Sequence, residues 1–418
     1  MMLFTGSRRL IAAAALTGLV VWLTGCTTSS SYRDVVVPPE RMNAYLQDKP
    51  AELWPVYGKV LREGRRNLVL NHLRAGLGAM YIRAPDVAED SFDKALGGIE
   101  TVYANNEIAK KARKLWYEEG MKDFKGEPYE RVMAYYYRGL LYLNRGDFEN
   151  ARAYFKRGLF QDRFAEEKLY RCDFALLMFL DGWASQCLGD RSLATESYKE
   201  LEGLRPDFVL PEWNHNVLIV AETGTSPRKV ADGVGHYELK FRRGKAFAEQ
   251  RARIAIGQET YDAYPMADIA WQAMTRGGRL VDKILKGQAS FRETHEKVGT
   301  VLTDVSSTAM LSAPMFKKST SKIQAISGGV ALLGIAEMLI ASKVRPRADT
   351  RYWDNLPDAV HVFTRKLPIK EETVTVSFLD SSGCEITHLR GQVKIDFVDG
   401  QHGFGWIRSQ SALSTVQQ

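Results

Sequence analysis

"YYYRGLLYLNRGDFENARAYFKRGL", residues 135–159, decides how the first half of the chain is read. Each residue type has a task in a pair of antiparallel helices. Small Gly139 and Ala151 let the two helices approach closely, Gly146 with Asp147 supplies the turn, and Phe155 fills the gap to the next pair. A second unit, "LDGWASQCLGDRSLATESYKELEGLRPD" (180–207), repeats the pattern with Gly182, Gly189, Ala194, Tyr198 and terminal Pro206. A weaker upstream unit runs from Gly76 through Ala88, Phe92 and Ala95. It has no turn glycine, but Ala84-Pro85-Asp86 reads as a helix start with proline at an early position.

These segments resemble the tetratricopeptide repeat. Tyr135, Gly139, Tyr142, Gly146, Phe148, Ala151 and Phe155 fall at the family's motif positions, with Gly158 where alanine is expected and Ser185 where tyrosine is expected. The two clear units are offset by 43 residues, longer than the ~34 usual for the family. The resemblance implies an α-solenoid over residues 39–208 whose first helices line a groove for an extended peptide or a partner's helix. Counted from the motif glycines, the groove positions are Met133, Tyr136, Leu140, Leu176, Phe179 and Trp183. In the competing reading the chain's own first helix, around Ala51 to Leu61, fills that groove as core.

The beginning of the chain bears on location. Arg8 and Arg9 precede an apolar stretch from Leu10 to Leu23, too short to span ~30 Å of hydrocarbon comfortably but suited to a signal peptide over residues 1–25. Leu23, Thr24, Gly25 and Cys26 match the bacterial lipoprotein box, with Cys26 as the lipidated residue. Residues 26–38 are then a polar tether, and acyl chains contribute about 0.8 kcal/mol per buried methylene to anchoring. By family-level sorting rules Thr27, which is not aspartate, favours the outer membrane, with the protein facing the periplasm.

The formal charge of +7 falls to +5 without Arg8 and Arg9, and the excess is spread along the chain, so no nucleic-acid partner is indicated. Cys172, Cys187 and Cys384 read as small buried hydrophobes rather than as a disulfide framework.

Beyond Pro211 the pattern changes. "NVLIVAETGTSPRKV" from residue 216, "HYELKFRRG" (236–244), and the segments Arg253 to Ile256 and Asp268 to Met274 read as strands. So do "AVHVFTRKLP", "ETVTVSFLD", "ITHLRG" and "QVKIDFVDG" near the end. The expected fold class is therefore α+β: a tetratricopeptide-like α-solenoid followed by a mostly antiparallel β-domain. Its two parts, 212–286 and 348–412, flank a helical insert over 287–347, and 413–418 is a tail. The insert holds the apolar run 325–341, in which Glu337 and three glycines argue for a buried or partner-facing helix over a membrane span. "RADTRYWDNLPDAVHVFTRKLP" together with "TGTSPRK" resembles an uncharacterised family of bacterial lipoproteins with tetratricopeptide-like N-termini. That resemblance implies architecture and brings no established activity. Asp349 and Arg351 can pair while Trp353 plugs the junction of helix and sheet.

No catalytic motif stands out. The seven histidines are scattered without close metal-ligand spacing, and "GQHGFGW" (400–406) lies in a predicted turn rather than between strand and helix. No catalytic residue, metal or cofactor is assigned. The expected function is a lipid-anchored periplasmic scaffold that assembles, stabilises or regulates an envelope machine, its partner an envelope protein. The alternative is an envelope enzyme acting on cell wall or glycan from a site in the β-domain.

Overall fold

Glycines set how closely the helices pack. The computed structural model describes residues 34–104, 123–162, 173–232, 238–275, 349–370, 372–397 and 399–413. The signal-peptide reading, Leu23 to Cys26, Cys172 and the insert at 287–347 lie outside them. Among the described residues the helices that precede the first strand are α1 (Pro39–Leu46), α2 (Trp54–Glu63), α3 (Leu68–Tyr81), α4 (Pro85–Ala104), α5 (Pro128–Leu143), α6 (Phe148–Asp162), α7 (Ala175–Cys187) and α8 (Arg191–Leu204). They pack as successive pairs, α3 with α4, α5 with α6, α7 with α8, and each pair leans on the next through α4–α5 and α6–α7. In every pair a glycine of the first helix receives an aromatic ring of the second: Gly76 and Phe92, Gly139 and Phe155, Gly182 and Tyr198. The ring stands sixteen residues after the glycine each time, with buried Ala88, Ala151 and Ala194 twelve after it. A Cβ on Gly139 or Gly182 would overlap the ring, so only glycine permits this approach.

Local signals start and stop these helices. Pro85 opens α4, and Asp190 caps α8 by accepting the Leu193 N–H at 3.0 Å. Glu127 and Glu130 form a capping box at the start of α5. Gly146 and Gly189, at φ 74° and 76°, make the turns inside the second and third pairs. The early helix α2 packs on α3 and sets the Tyr57 hydroxyl 2.6 Å from Ser91 on α4.

The strands are β1 (Val217–Thr223), β2 (Arg228–Asp232), β3 (Glu238–Arg242), β4 (Arg251–Ile256), β5 (Glu259–Asp262), β6 (Tyr264–Asp268), β7 (Ala359–Arg365), β8 (Glu372–Leu379), β9 (Gly391–Phe397) and β10 (Gly403–Arg408). One eight-stranded sheet runs β5-β4-β8-β9-β10-β1-β7-β6, with β2 and β3 as a separate ribbon. The fold is thus α+β, and strands from both sides of the 287–347 stretch join in one sheet. Its ladders are antiparallel except β1 with β10, which run parallel.

β1 is buried on both faces, which is why it reads as a continuous apolar run. Leu218 and Val220 join the core shared with the helices. Val217, Ile219 and Ala221 join a second core with Ile254, Val376, Phe378 and Ile395. At Gly403 and Gly405 there is no Cβ, so Ile395 and Val393 of β9 close over β10.

Four local readings are corrected. Asp268 to Met274 is not a strand; helix α9 (Ile269–Thr275) begins there because Asp268 Oδ1 accepts the Trp271 N–H at 2.8 Å. Residues 387–389 of "ITHLRG" form a single 3₁₀ turn. "GQHGFGW" holds a turn at Gly400 but continues directly into β10, an interior strand. Cys384 is exposed, in a turn where its N–H donates to Asp380, and Cys187 at the end of α7 is only partly buried.

Candidate functional site

Met133, Tyr136, Leu140, Leu176 and Phe179 are fully buried, and Trp183 is 2% exposed. The expectation of an open groove at these residues is therefore corrected: they belong to the core shared by the helices and the sheet. Leu53, Val56, Tyr57 and Val60 of the first-helix stretch belong to the same core, where α2 lies against α3, and β1, α9 and the segment around Trp353 reach it as well. Phe179, for example, meets Phe208 edge-on, with ring centroids 5.6 Å apart. Apolar faces from helices and sheet that meet leave water together, which is favourable in proportion to the area removed.

The polar centre of this interface is Glu222 on β1. Its carboxylate accepts from the Tyr136 and Tyr137 hydroxyls on α5 and from Trp406 Nε1 on β10, each at 3.0 Å, and Arg408 Nε lies 3.5 Å away. Burial pushes the carboxyl above the usual range, opposed by the Arg408 charge and the three donors. Burial, with Glu222 beside them, lifts both phenols well above their ordinary value, so they remain donors. Each of these side-chain contacts of Glu222 joins helix to strand or strand to strand.

Asp349, Arg351 and Trp353 begin a strap that crosses the helices. Arg351 forks onto Asp349 at 2.8 and 2.6 Å and donates through Nη1 to Arg66 O and Asn67 Oδ1 beside α3. Arg74 of α3 makes a second fork onto Asp354 at 2.7 and 3.0 Å. The Trp353 N–H donates to Glu130 at 2.6 Å and its carbonyl accepts from Ser226 at 2.8 Å, while its ring packs near Tyr137 and Phe92. Burial raises the Glu130 carboxyl to about 7, with Lys229 opposing. These three residues hold helices and sheet together.

Where the β9–β10 ladder stops, after the pair Phe404–Asp396, Gln392–Lys394 and Gly405–Arg408 line a cavity of about 470 Å³. Its other walls are the end of α3, the turn at Arg83 and the end of α5. It carries Arg83, Lys394 and Arg408, and among the described residues none that lines it is acidic.

Among the described residues no group of three or more His, Cys, Asp or Glu side chains is placed to hold a metal, and no helix is long and apolar enough to cross a membrane. His72 and His361 are buried, and desolvation lowers each to about 4. Sequence reasoning missed Tyr137, Glu222, Trp406 and Arg408. Their signals were a carboxylate ending the apolar run "VLIVAET" and the alternation of Phe404, Trp406 and Arg408 along β10. No family model, curated protein or solved structure matches the chain.

Proposed function

We propose that this chain is a lipid-anchored bacterial lipoprotein of the outer membrane, facing the periplasm, that works as a scaffold by binding other envelope proteins. The observation that carries the reading is the interlock of glycine and aromatic ring, repeated at one sixteen-residue offset in three successive helix pairs, as in a tetratricopeptide-like solenoid. Leu23 to Cys26 supports the anchor. The family of lipoproteins that the 347–368 stretch resembles supports the same architecture.

Because the sheet takes up the inner face of the helix pairs, partner binding moves to what they leave outside. The α7–α8 turn offers Leu188, 41% exposed, and nearby Trp213, 39% exposed, with the Arg191 guanidinium 4.9 Å from the Trp213 ring centroid. Aromatic and arginine side chains of this kind anchor protein interfaces.

Photo-crosslinking in living cells tests the reading, with p-benzoylphenylalanine placed at Leu188 and at Trp213. The expected result is one envelope protein captured from both positions, with capture lost when Cys26→Ala removes the lipidation site. Adducts that differ between the two positions, or capture indifferent to Cys26, would overturn it.

A further inference from the structure

The cavity at the end of the β9–β10 ladder has a chemical character that scaffolding does not require. About 470 Å³ is within the ~300–1,000 Å³ range of small-molecule sites. Its apolar wall comes from Leu140, Leu141, Phe404 and Trp406, and among the described residues that line it the charged ones are cationic. One of them, Arg408, has a side chain 1% exposed, and its Nε and Nη1 are buried without a hydrogen-bond partner. Glu222 balances its charge from 3.5 Å but leaves those donors unused. Buried guanidinium donors are ordinarily satisfied, because leaving them unmade is costly.

A second cation sits at the rim in an unusual backbone state. Arg83 follows α3 at φ 60°, a left-handed position where glycine costs less. Here an arginine occupies it and lines the cavity.

We infer that this cavity binds a small organic anion, a carboxylate, sulfonate or phosphate monoester, carried on an apolar ring or alkyl body. Arg83, Lys394 and Arg408 receive the anion, and Leu140, Phe404 and Trp406 receive the body. This stands apart from the partner-binding reading and survives its failure.

The test uses the chain from residue 26 onward with Cys26→Ser, purified without detergent, and 1-anilinonaphthalene-8-sulfonate as probe. Energy transfer from tryptophan to the probe reports binding. The expected result is saturable binding at one site, weakened about tenfold or more by Arg83→Gln with Lys394→Gln, as loss of charge-assisted contacts requires. Asn144→Trp, which narrows the mouth without changing charge, is expected to abolish binding. Circular dichroism shows whether each variant is folded. N-phenyl-1-naphthylamine, the same body without the sulfonate, is expected to bind at least about tenfold more weakly. Displacement by 2-naphthoate points to a ring-bearing acid, and displacement by dodecyl phosphate to an alkyl phosphate monoester; either supports the class. The inference is overturned if the uncharged analogue binds equally well, if folded variants bind unchanged, or if neither competitor displaces the probe.

Discussion

The Tyr137 hydroxyl donates to Glu222, 85 residues further along the chain, at 3.0 Å, and so ties the middle helix pair to β1, an interior strand of the sheet. Tyr136 and Trp406 donate to the same carboxylate, which makes it a junction of α5, β1 and β10. A carboxylate with three donors and a cation at ion-pair distance is occupied, and its role is to hold these elements in register.

Arg408 supplies the balancing charge at this junction. Arg408→Met is expected to destabilise the fold by roughly 3–5 kcal/mol, because it leaves Glu222 buried without its cation. Urea denaturation of the variant beside the wild type measures the loss, and a change below about 1 kcal/mol would remove Arg408 from the junction.

The helix pairs distinguish two kinds of glycine. Gly182→Ala forces a Cβ into the Tyr198 ring and is expected to cost about 1–3 kcal/mol. At Gly97, on the exposed side of α4, a new Cβ meets nothing within 4 Å, and Gly97→Ala is expected to stabilise by roughly 0.5–1 kcal/mol. Thermal melts of the two variants should move in opposite directions.

Trp353, on the strap, is fully buried beside Phe92 and Tyr137 of the helices. Trp353→Ala is expected to cost about 3–5 kcal/mol, the usual penalty for emptying a large aromatic site. Trp353→Phe, which leaves the backbone bonds to Glu130 and Ser226 in place, is expected to cost less than half as much. Losses below about 1 kcal/mol in both variants, each of which keeps those backbone bonds, would mean that the strap depends on its backbone contacts rather than on the ring.

His361 is buried between β1 and β7 with Nε2 3.0 Å from the Thr223 hydroxyl, and burial lowers it to about 4 from 6.5. The unfolded chain therefore binds a proton more readily, so stability from neutral His361 is present above pH 6.5 and is lost as pH falls toward 4. Glu130 at about 7 and Asp358 at about 6 act oppositely, their protonated forms favouring the fold at low pH. The clean measure is a difference between variants. His361→Gln should lose about 2 kcal/mol less stability than the wild type between pH 7 and pH 4.5. Parallel pH profiles would mean that His361 titrates normally in the fold.

The helix pairs were legible because close packing leaves a local trace: a small residue in one helix and an aromatic at a set distance in the next. Most strands were legible from alternation. What covers Tyr136 was not, because that depends on β1 and β10, more than 80 residues away in sequence. Tyrosine and methionine on a helix face look alike whether they meet a partner or the chain's own sheet. Glu222 offered the missing clue, a carboxylate ending a run buried on both faces. α9 was misread because its seven residues are too few to show a helical period against a strand's alternation. Cys384 was misread because cysteine's average burial says little about one in a Ser-Ser-Gly turn.

The central claim is that the sheet closes the inner face of the helix pairs, and coupling between Tyr137 and Glu222 tests it most directly. A double-mutant cycle with Tyr137→Phe, Glu222→Gln and the combined variant, read by urea denaturation, should give a coupling energy of about 1–3 kcal/mol. Strict additivity, with coupling below about 0.3 kcal/mol, would mean that the two side chains do not meet in solution and that the groove stands open.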